Sequence, residues 1–129
     1  MLAEPNGNIL LVAESPSGEV AGYTLGRPGE CDIAPYDSEL VALHVRKEFQ
    51  GQGTGEALVR AMARELYQTG CRSMMLWVLE QNPARAFYQR LGGELIGEKQ
   101  THLGEGDVSV QEVAYGWPEI ETLFAVEAK

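Results

Sequence analysis

A glycine-rich loop between an apolar segment and an amphipathic segment limits the possible folds of this chain more than any other feature. The loop reads Gln50-Gly51-Gln52-Gly53-Thr54-Gly55. It follows the apolar segment Ser38–Val45, and it precedes residues 56–69, whose apolar side chains recur at helical spacing. Residues 73–79 form the next apolar run. Strand, loop, helix and strand in this order predict two parallel strands joined by a crossover helix.

Segments on both sides of this unit predict two hairpins. Residues 8–14 and 19–25 flank a Pro-Ser-Gly turn, and residues 94–103 and 107–117 flank a Gly-Glu-Gly turn. Residues 26–37 contain two prolines and no apolar period, so they are predicted to form a surface loop. The predicted fold class is therefore α/β (α+β), with a mixed sheet, an antiparallel N-terminal hairpin, a central parallel β-α-β unit and a C-terminal hairpin.

A second helix is predicted after the second apolar run. Asn82 is a favourable N-cap, and Pro83 suits the first helical turn because its fixed φ angle is already helical. The helix is expected to end at Gly92. Residues 118–129 are predicted to add a short acidic helix.

The spacing of the loop glycines favours a phosphate site. Gly51, Gly53 and Gly55 permit backbone angles closed to other residues, and they leave room for close approach to the amide hydrogens. The helix that follows adds free amides and a positive dipole end. The loop is not a P-loop, because Glu56 stands where that motif needs lysine, and the third glycine of the dinucleotide motif is absent. A flexible glycine turn without a ligand is the alternative.

Length and charge narrow the class of protein. A chain of 129 residues matches one domain, here residues 1–129. Its net charge of −9 disfavours nucleic acid as a partner and would attract a cationic substrate such as an amine. The N-terminus lacks the basic start of a signal peptide, and its apolar run is too short to span a bilayer. A cytoplasmic protein without membrane contact is predicted. The two cysteines and two histidines lack metal-ligand spacing, so no metal is expected.

Two motifs in order resemble those of the GNAT superfamily of acyl-CoA N-acyltransferases. Gln50 to Gly55 matches its Q/R-x-x-G-x-G/A pattern, and Asn82-Pro83-Ala84-Arg85-Ala86-Phe87-Tyr88 resembles its second signature. The order of elements from Ser38 to Gly93 agrees as well, and the two hairpins resemble the family's flanking strands. The resemblance therefore covers nearly all of the chain.

The resemblance implies acetyl-CoA as the cofactor and assigns residues to it. The pyrophosphate would lie on Gln50, Gly51, Gln52, Gly53, Thr54 and Gly55. The pantetheine arm would pass between two splayed parallel strands and contact the backbone of Leu43, His44 and Val45. Asn82 would hydrogen-bond the cofactor, and Arg85 would contact a phosphate.

The reaction that the resemblance implies is direct attack of a neutral amine on the thioester, which requires a base and an acid. Tyr88 matches the family's acid; alternatively, it is a core tyrosine beside Phe87. Glu39 is favoured as the base because it stands among apolar strand residues, although it is also interpretable as a carboxylate at an exposed strand start. Glu80 is a weaker candidate for the base.

The chain departs from the family pattern at its N-terminus. The family begins with a strand and one or two helices before the first hairpin, whereas this chain starts almost at the hairpin, so the acceptor side is expected to be incomplete. Exposed apolar surface there would favour self-association, which predicts a homodimer. The predicted function is acetyl transfer from acetyl-CoA to a small-molecule amine or an exposed protein amine. The alternative is a non-catalytic acyl-CoA-binding module.

Overall fold

The computed structural model describes residues 2–3, 7–102 and 108–125, which form one sheet with two α-helices against it. The strands are Leu2–Ala3 (β1), Ile9–Glu14 (β2), Val20–Pro28 (β3), Ser38–Val45 (β4), Met74–Leu79 (β5), Glu94–His102 (β6) and Ser109–Trp117 (β7). The α-helices are Thr54–Gln68 (α1) and Ala84–Arg90 (α2), and short 3-10 helices cover Lys47–Phe49 and Ile120–Leu123.

The seven strands lie in the order β1-β2-β3-β4-β5-β7-β6, and every neighbouring pair is antiparallel except the parallel pair β4 and β5. This confirms the predicted mixed sheet with two hairpins and a central β-α-β unit. The sequence does not predict β1. It also predicts too early an end for β3, because Arg27 and Pro28 still pair with β4. The Gly-Glu-Gly turn of the second hairpin lies outside the described residues.

The described end of the chain contains a short helix within residues 118–129, where the sequence predicts one. Ile120–Leu123 forms this helix, and it is of the 3-10 type. Ile120 and Leu123 are buried in the core, and this inward packing three residues apart suits a 3-10 helix of three residues per turn. Residues 126–129 lie outside the described part.

One face of the sheet packs against both helices and holds the main core. In α1 the side chains that recur at helical spacing are buried, among them Leu58, Met62 and Leu66. Met62 and Leu66 belong to one cluster with Leu76 of β5 and Tyr88 of α2. Burial of each such leucine or methionine contributes about 1.5–3 kcal/mol. This packing fixes α1, and with it the loop that precedes α1, against the sheet.

The opposite face of the sheet is covered only in part. Tyr36, Met75 and Ala114 form a second, smaller cluster, with Tyr36 supplied by the segment between β3 and β4. Tyr23 on β3 and His44 on β4 remain exposed, with their ring centroids 5.7 Å apart. β4 is therefore uncovered on this face at His44, because α1 and α2 both pack into the main core on the other face.

The parallel strands β4 and β5 separate along their length. The register between β3 and β4 shifts so that Val41 has no partner on β3, and a β-bulge of this kind bends the strand. The ladder between β4 and β5 holds one register pair, Glu39 with Met75, near the start of both strands. From there towards Val45 the two strands diverge and leave a gap in the middle of the sheet.

Candidate active site

The loop between β4 and α1 presents free backbone amides. Gly51 and Gly53 have φ angles of 78° and 84°, in the left-handed region that favours glycine. Gly53 is the N-cap of α1, and it supplies no side-chain hydrogen bond to the helix amides. The amide of Ala57 makes the first helical hydrogen bond, to the Gly53 carbonyl at 3.0 Å. The amides of residues 54–56 therefore have no partner within the helix and are placed to bind an anion.

A cleft of about 610 Å³ opens in front of these amides. The predicted site residues in its lining are Leu43, Val45, Gln50, Gly51, Gly53, Thr54, Gly55, Asn82 and Tyr88. Gln50 fixes the start of the loop, because its Nε2 donates a hydrogen bond to the Val45 carbonyl at 2.9 Å. Among the described residues, Arg90 is the one basic side chain in the lining. Left-handed glycines, free amides and a cation together fit a pyrophosphate group.

The gap between β4 and β5 forms a second cavity, of about 310 Å³. Leu43, Asn82 and Tyr88 line both cavities, so the cleft continues into the gap. Beyond Glu39, the β4 backbone has no register partner on β5. An extended arm with amide groups would hydrogen-bond to this free strand edge as an added strand does.

Tyr88 lies where the two cavities meet. Its side chain is 8% exposed, and its ring centroid lies 5.2 Å from that of Phe87 and 6.4 Å from that of Trp117. Burial raises the pKa of the Tyr88 phenol, so the hydroxyl is protonated at neutral pH. The structure shows no hydrogen bond from this hydroxyl to any described residue. Tyr88 is thus a core tyrosine whose protonated side chain lines both cavities.

Asn82 and Arg85, at the start of α2, differ in their hydrogen-bond partners. Asn82 caps the helix, because its Oδ1 accepts a hydrogen bond from the Ala84 amide at 2.8 Å. The Arg85 guanidinium donates to the Tyr115 hydroxyl and to the Glu80 carbonyl, each at 2.9 Å. Arg85 is absent from the lining of the cleft among the residues that the structure describes. The geometry therefore favours Arg90 over Arg85 as the contact for a phosphate.

Three further predicted residues lie outside the cleft. His44 has an exposed side chain on the open face of the sheet. Gln52 is exposed, and its Nε2 donates to the Glu48 carbonyl at 3.5 Å. Glu80 is exposed as well, and its amide donates to the Gln111 carbonyl at 2.9 Å. A role for His44 or Gln52 in this site would thus involve the backbone.

Glu39 is engaged in an ion pair at the closed end of the gap. Its Oε1 lies 3.0 Å from Nη2 of Arg27, and the guanidinium also donates to the Glu30 carbonyl at 3.2 Å. Glu39 lines neither the cleft nor the gap. An arginine at this distance competes with a cationic amine for the carboxylate. The structure therefore does not bring Glu39 together with Tyr88.

Sequence reasoning does not identify several residues of the site. Phe49, Phe87 and Arg90 line the cleft, and Glu112 of β7 lines the gap. Phe87 and Arg90 stand three residues apart on α2, so helical spacing from the motif is the signal that could have found Arg90. Glu112 has no such signal, because its place depends on how β7 pairs with β5.

Two other kinds of site have no support in the described part of the chain. No group of three or more His, Cys, Asp or Glu side chains there is placed to hold a metal ion. None of the described helices is both long and apolar enough to cross a bilayer. The cleft and the gap remain the candidate site.

Relatives with similar sequences are acetyltransferases. YuaI, an uncharacterized N-acetyltransferase of Bacillus subtilis (strain 168), is 37% identical over 114 residues, which cover 88% of this chain and 65% of that protein. The mycothiol acetyltransferase of Kocuria rhizophila is 37% identical over 94 residues, which cover 70% of this chain and 31% of that protein. The chain thus spans less than two thirds of the length of these relatives.

Solved structures with this fold are acetyltransferases too. An N-acetyltransferase from Staphylococcus aureus Mu50 has a TM-score of 0.72 and 18% identity, and the match covers 89% of this chain and 69% of that one. The structure of yncA from Salmonella typhimurium, with its cofactor acetyl-CoA, has a TM-score of 0.70 and 22% identity, covering 88% and 65%. The fold is therefore that of the GNAT acetyltransferases.

The particular family follows from the sequence motifs. The family model of FR47-like proteins matches residues 28–102, more than half of the chain, and this segment contains the glycine loop and α2. The chain belongs to the FR47-like family of the GNAT superfamily.

Proposed function

We propose that this chain, residues 1–129, acts as a single acetyltransferase domain that moves an acetyl group from acetyl-CoA directly to a primary amine. The observation that carries the proposal is the junction of the two cavities. The cleft in front of the free loop amides meets the gap between β4 and β5 at Tyr88. A donor held at the loop by its pyrophosphate would extend its arm into the gap and bring its thioester to the phenol.

The donor would be bound by backbone groups more than by side chains. The amides of residues 54–56 and the left-handed turns at Gly51 and Gly53 would hold the pyrophosphate. Arg90 would add a charge at the rim of the cleft. Leu43, Val45 and the intervening His44 would offer backbone groups of β4 to the arm, and Asn82 would contact it from the start of α2.

Acetyl-CoA supplies an acyl group activated as a thioester. Tyr88 holds a proton at its hydroxyl and gives it to the sulfur as the carbon–sulfur bond breaks. Residues 40–43 of β4 and 76–79 of β5 line the gap on its two sides. Direct transfer needs no covalent intermediate on the protein.

The acceptor would be a small-molecule amine or an exposed protein amine. The net charge of −9 attracts ammonium groups and repels phosphate backbones. Val12, Tyr23 and Val41 are exposed apolar residues on the neighbouring strands β2, β3 and β4, which supports a homodimer as the acting form. The two cysteines are free, in keeping with a reducing, cytoplasmic location.

Calorimetric titration with acetyl-CoA, followed by an assay of coenzyme A release, tests the proposal. The acceptor panel contains tyramine, putrescine and a peptide with an N-terminal alanine. Binding with turnover of at least one amine is the expected result. Binding without turnover on the panel would support the non-catalytic acyl-CoA-binding module instead, and absence of binding would contradict both functions.

A further inference from the structure

We propose that Glu112 of β7 is the general base of this site, the group that takes a proton from the acceptor amine. This inference rests on the proposed function and deepens it. It also replaces Glu39, the residue that the sequence favours for the role. Four observations support it: the cavity in which Glu112 lies, the absence of a paired cation, the hydrogen bond to its carboxylate, and the face of the sheet that it occupies.

Glu112 lies in the same cavity as the proposed acid. Among the described residues, it is the one acidic side chain that lines the gap between β4 and β5, and Tyr88 lines the same gap. Glu112 pairs with Leu79, at the end of β5 where the gap is widest. Glu39 instead neighbours Met75, four residues earlier on β5 and about 13 Å away along the strand.

The charge of Glu112 is not neutralised by a neighbouring cation. Lys99 stands directly opposite it on β6, yet the Lys99 ammonium lies 4.1 Å from the Trp77 ring centroid and 3.6 Å from the Asp32 carboxylate. No basic group is within ion-pair distance of Glu112 in the part of the chain that the structure describes. By contrast, Glu39 is held by a guanidinium. An incoming ammonium would therefore find an unpaired carboxylate at Glu112.

One oxygen of Glu112 is held in place while the other remains available. The Thr101 hydroxyl donates a hydrogen bond to Oε1 at 2.6 Å. The structure shows no described donor to Oε2. A base must be oriented as well as ionised, because proton transfer requires hydrogen-bond contact. Thr101 lies on β6, on the side of β7 away from β5, so this hydrogen bond draws Oε1 toward β6 and leaves Oε2 without a described donor.

Glu112 and Tyr88 face the gap from opposite sides of the sheet. Side chains two apart on a strand share a face, so Glu112 lies on the face of Ala114, which belongs to the second, smaller cluster. Tyr88 belongs to the main core on the helix side. The acid would thus meet the donor from one face, and the base would meet the acceptor from the other.

The proton balance of the transfer is complete with these two groups. Glu112 accepts one proton from the ammonium, and the neutral nitrogen forms a bond to the thioester carbon as the carbon–sulfur bond breaks. Tyr88 gives its proton to the sulfur and regains one, through water, from the newly acylated nitrogen. The proton on Glu112 then leaves to water. The products are an amide, a thiol and one released proton.

The test compares a protonated acceptor with one that is already neutral. Tyramine carries an ammonium at neutral pH and needs a base, whereas 4-hydroxyphenylacetic hydrazide presents an unprotonated nitrogen. In Glu112→Gln we expect kcat/KM for tyramine, or for the best amine of the panel, to fall about 100-fold. Turnover of the matching hydrazide should stay close to that of the wild type. Glu98→Gln, which removes the same charge from an exposed site on β6, is the control and should leave both unchanged.

A second measurement does not depend on turnover. With coenzyme A bound, calorimetry should show weaker tyramine binding to Glu112→Gln than to the wild type, with hydrazide and acetyl-CoA affinities unchanged. Equal losses for the amine and the hydrazide would mean a structural role and would overturn the inference. So would wild-type turnover of the amine by Glu112→Gln. If the wild type acetylates no amine, the proposed function itself is contradicted. That outcome is distinguishable from the failure of the role of Glu112.

Discussion

Tyr88 combines a buried ring with a hydroxyl that has no described hydrogen-bond partner, so the ring and the hydroxyl can be tested separately. Tyr88→Phe keeps the packing against Phe87 and Trp117 and removes only the proton donor. We expect kcat to fall about 100-fold, with acetyl-CoA affinity nearly unchanged. Steady-state kinetics and calorimetry on the same preparation check this. Acetylation at the wild-type rate would remove Tyr88 from the mechanism.

The pKa of Tyr88 predicts the sign of its pH dependence. Burial raises this pKa above its ordinary value of 10.0, so the phenol remains a donor throughout the neutral range. Loss of activity from phenol ionisation should therefore begin at a higher pH than for a phenol with the ordinary pKa of 10.0.

Arg90 and Arg85 form a matched pair of arginines on one helix. Arg90 lines the cleft, whereas Arg85 hydrogen-bonds to Tyr115 and Glu80. Arg90→Ala should weaken acetyl-CoA binding roughly fivefold, the size of an exposed ion pair, with a smaller effect at high salt. Arg85→Ala should lower thermal stability and leave the affinity intact. The reverse pattern in calorimetry would return the phosphate contact to Arg85.

Which site residues the sequence can identify depends on whether local chemistry or tertiary pairing places them. The glycine loop and Asn82 were predictable, because a left-handed turn and a helix N-cap are local requirements. Glu112 was not predictable, because it reaches the gap only through the pairing of β7 with β5. Glu39 looked favourable as the base because its ion pair with Arg27 also depends on long-range strand pairing. Arg27 lies in a segment that the sequence predicts to be a loop, so this pairing was not predictable.

At the scale of elements, the glycine loop depends on backbone angles that a β-carbon disfavours. Gly53 has a φ of 84°, and a methyl group there would meet no neighbour within 4 Å, so strain is the only obstacle. Gly53→Ala should cost about 1 kcal/mol or more of stability and weaken acetyl-CoA binding, because the amides would turn away.

Gly55→Ala is the matched control for this loop. Its added carbon would lie 3.6 Å from Phe87 and 3.7 Å from Val45, which is ordinary contact, and its φ is not in the left-handed region. Urea denaturation should therefore show near wild-type stability. An unaltered acetyl-CoA affinity in Gly53→Ala would contradict the role of the loop.

Asp37 joins the segment before β4 to the start of β5. Its carboxylate accepts hydrogen bonds from the Arg72 amide at 3.0 Å and from the Ser73 amide and hydroxyl at 2.9 Å. Burial alone would raise the pKa of Asp37, but these hydrogen bonds outweigh burial, and the pKa lies below its ordinary value of 3.8. The carboxylate therefore stabilises the fold above pH 3.8, and this contribution is lost as the pH falls through the lowered pKa.

Asp37→Asn should therefore lower the free energy of unfolding by about 1–2 kcal/mol at neutral pH. The difference from the wild type should shrink in acid, where the native carboxylate is protonated as well. Asp32→Asn, which alters an exposed carboxylate 3.6 Å from the Lys99 ammonium, is the control and should change little. Urea denaturation at several pH values measures both. A pH-independent difference for Asp37→Asn would contradict the linkage.

Most elements were predictable from the sequence, because their apolar periods are long and their ends carry glycine or proline. The bounds Ser38–Val45 match β4. The extra length of β3 was not predictable, since Pro28 suggests a loop yet pairs with Ser38. The bulge at Val41 was also not predictable from the sequence, because it arises from the register between β3 and β4 and does not change the apolar pattern of β4.

For the whole molecule, the sequence identified the fold through two local motifs, and the structure added the relation between them. The motifs lie on α1 and α2, on the same side of the sheet, and the divergence of β4 from β5 lets the opposite side reach them. In the proposed function, this passage through the sheet would join the phosphate site to the site for the amine. It depends on long-range pairing, which no single segment encodes.

The central claim is that bare amides at the start of α1 bind the pyrophosphate of acetyl-CoA. Nuclear magnetic resonance of the 15N-labelled protein during titration with acetyl-CoA tests it most directly. We predict that the largest amide shifts fall on Gly51, Gly53 and residues 54–56, with smaller ones along β4 from Leu43 to Val45. Saturable binding that leaves these amides unmoved and shifts a different surface would contradict the account.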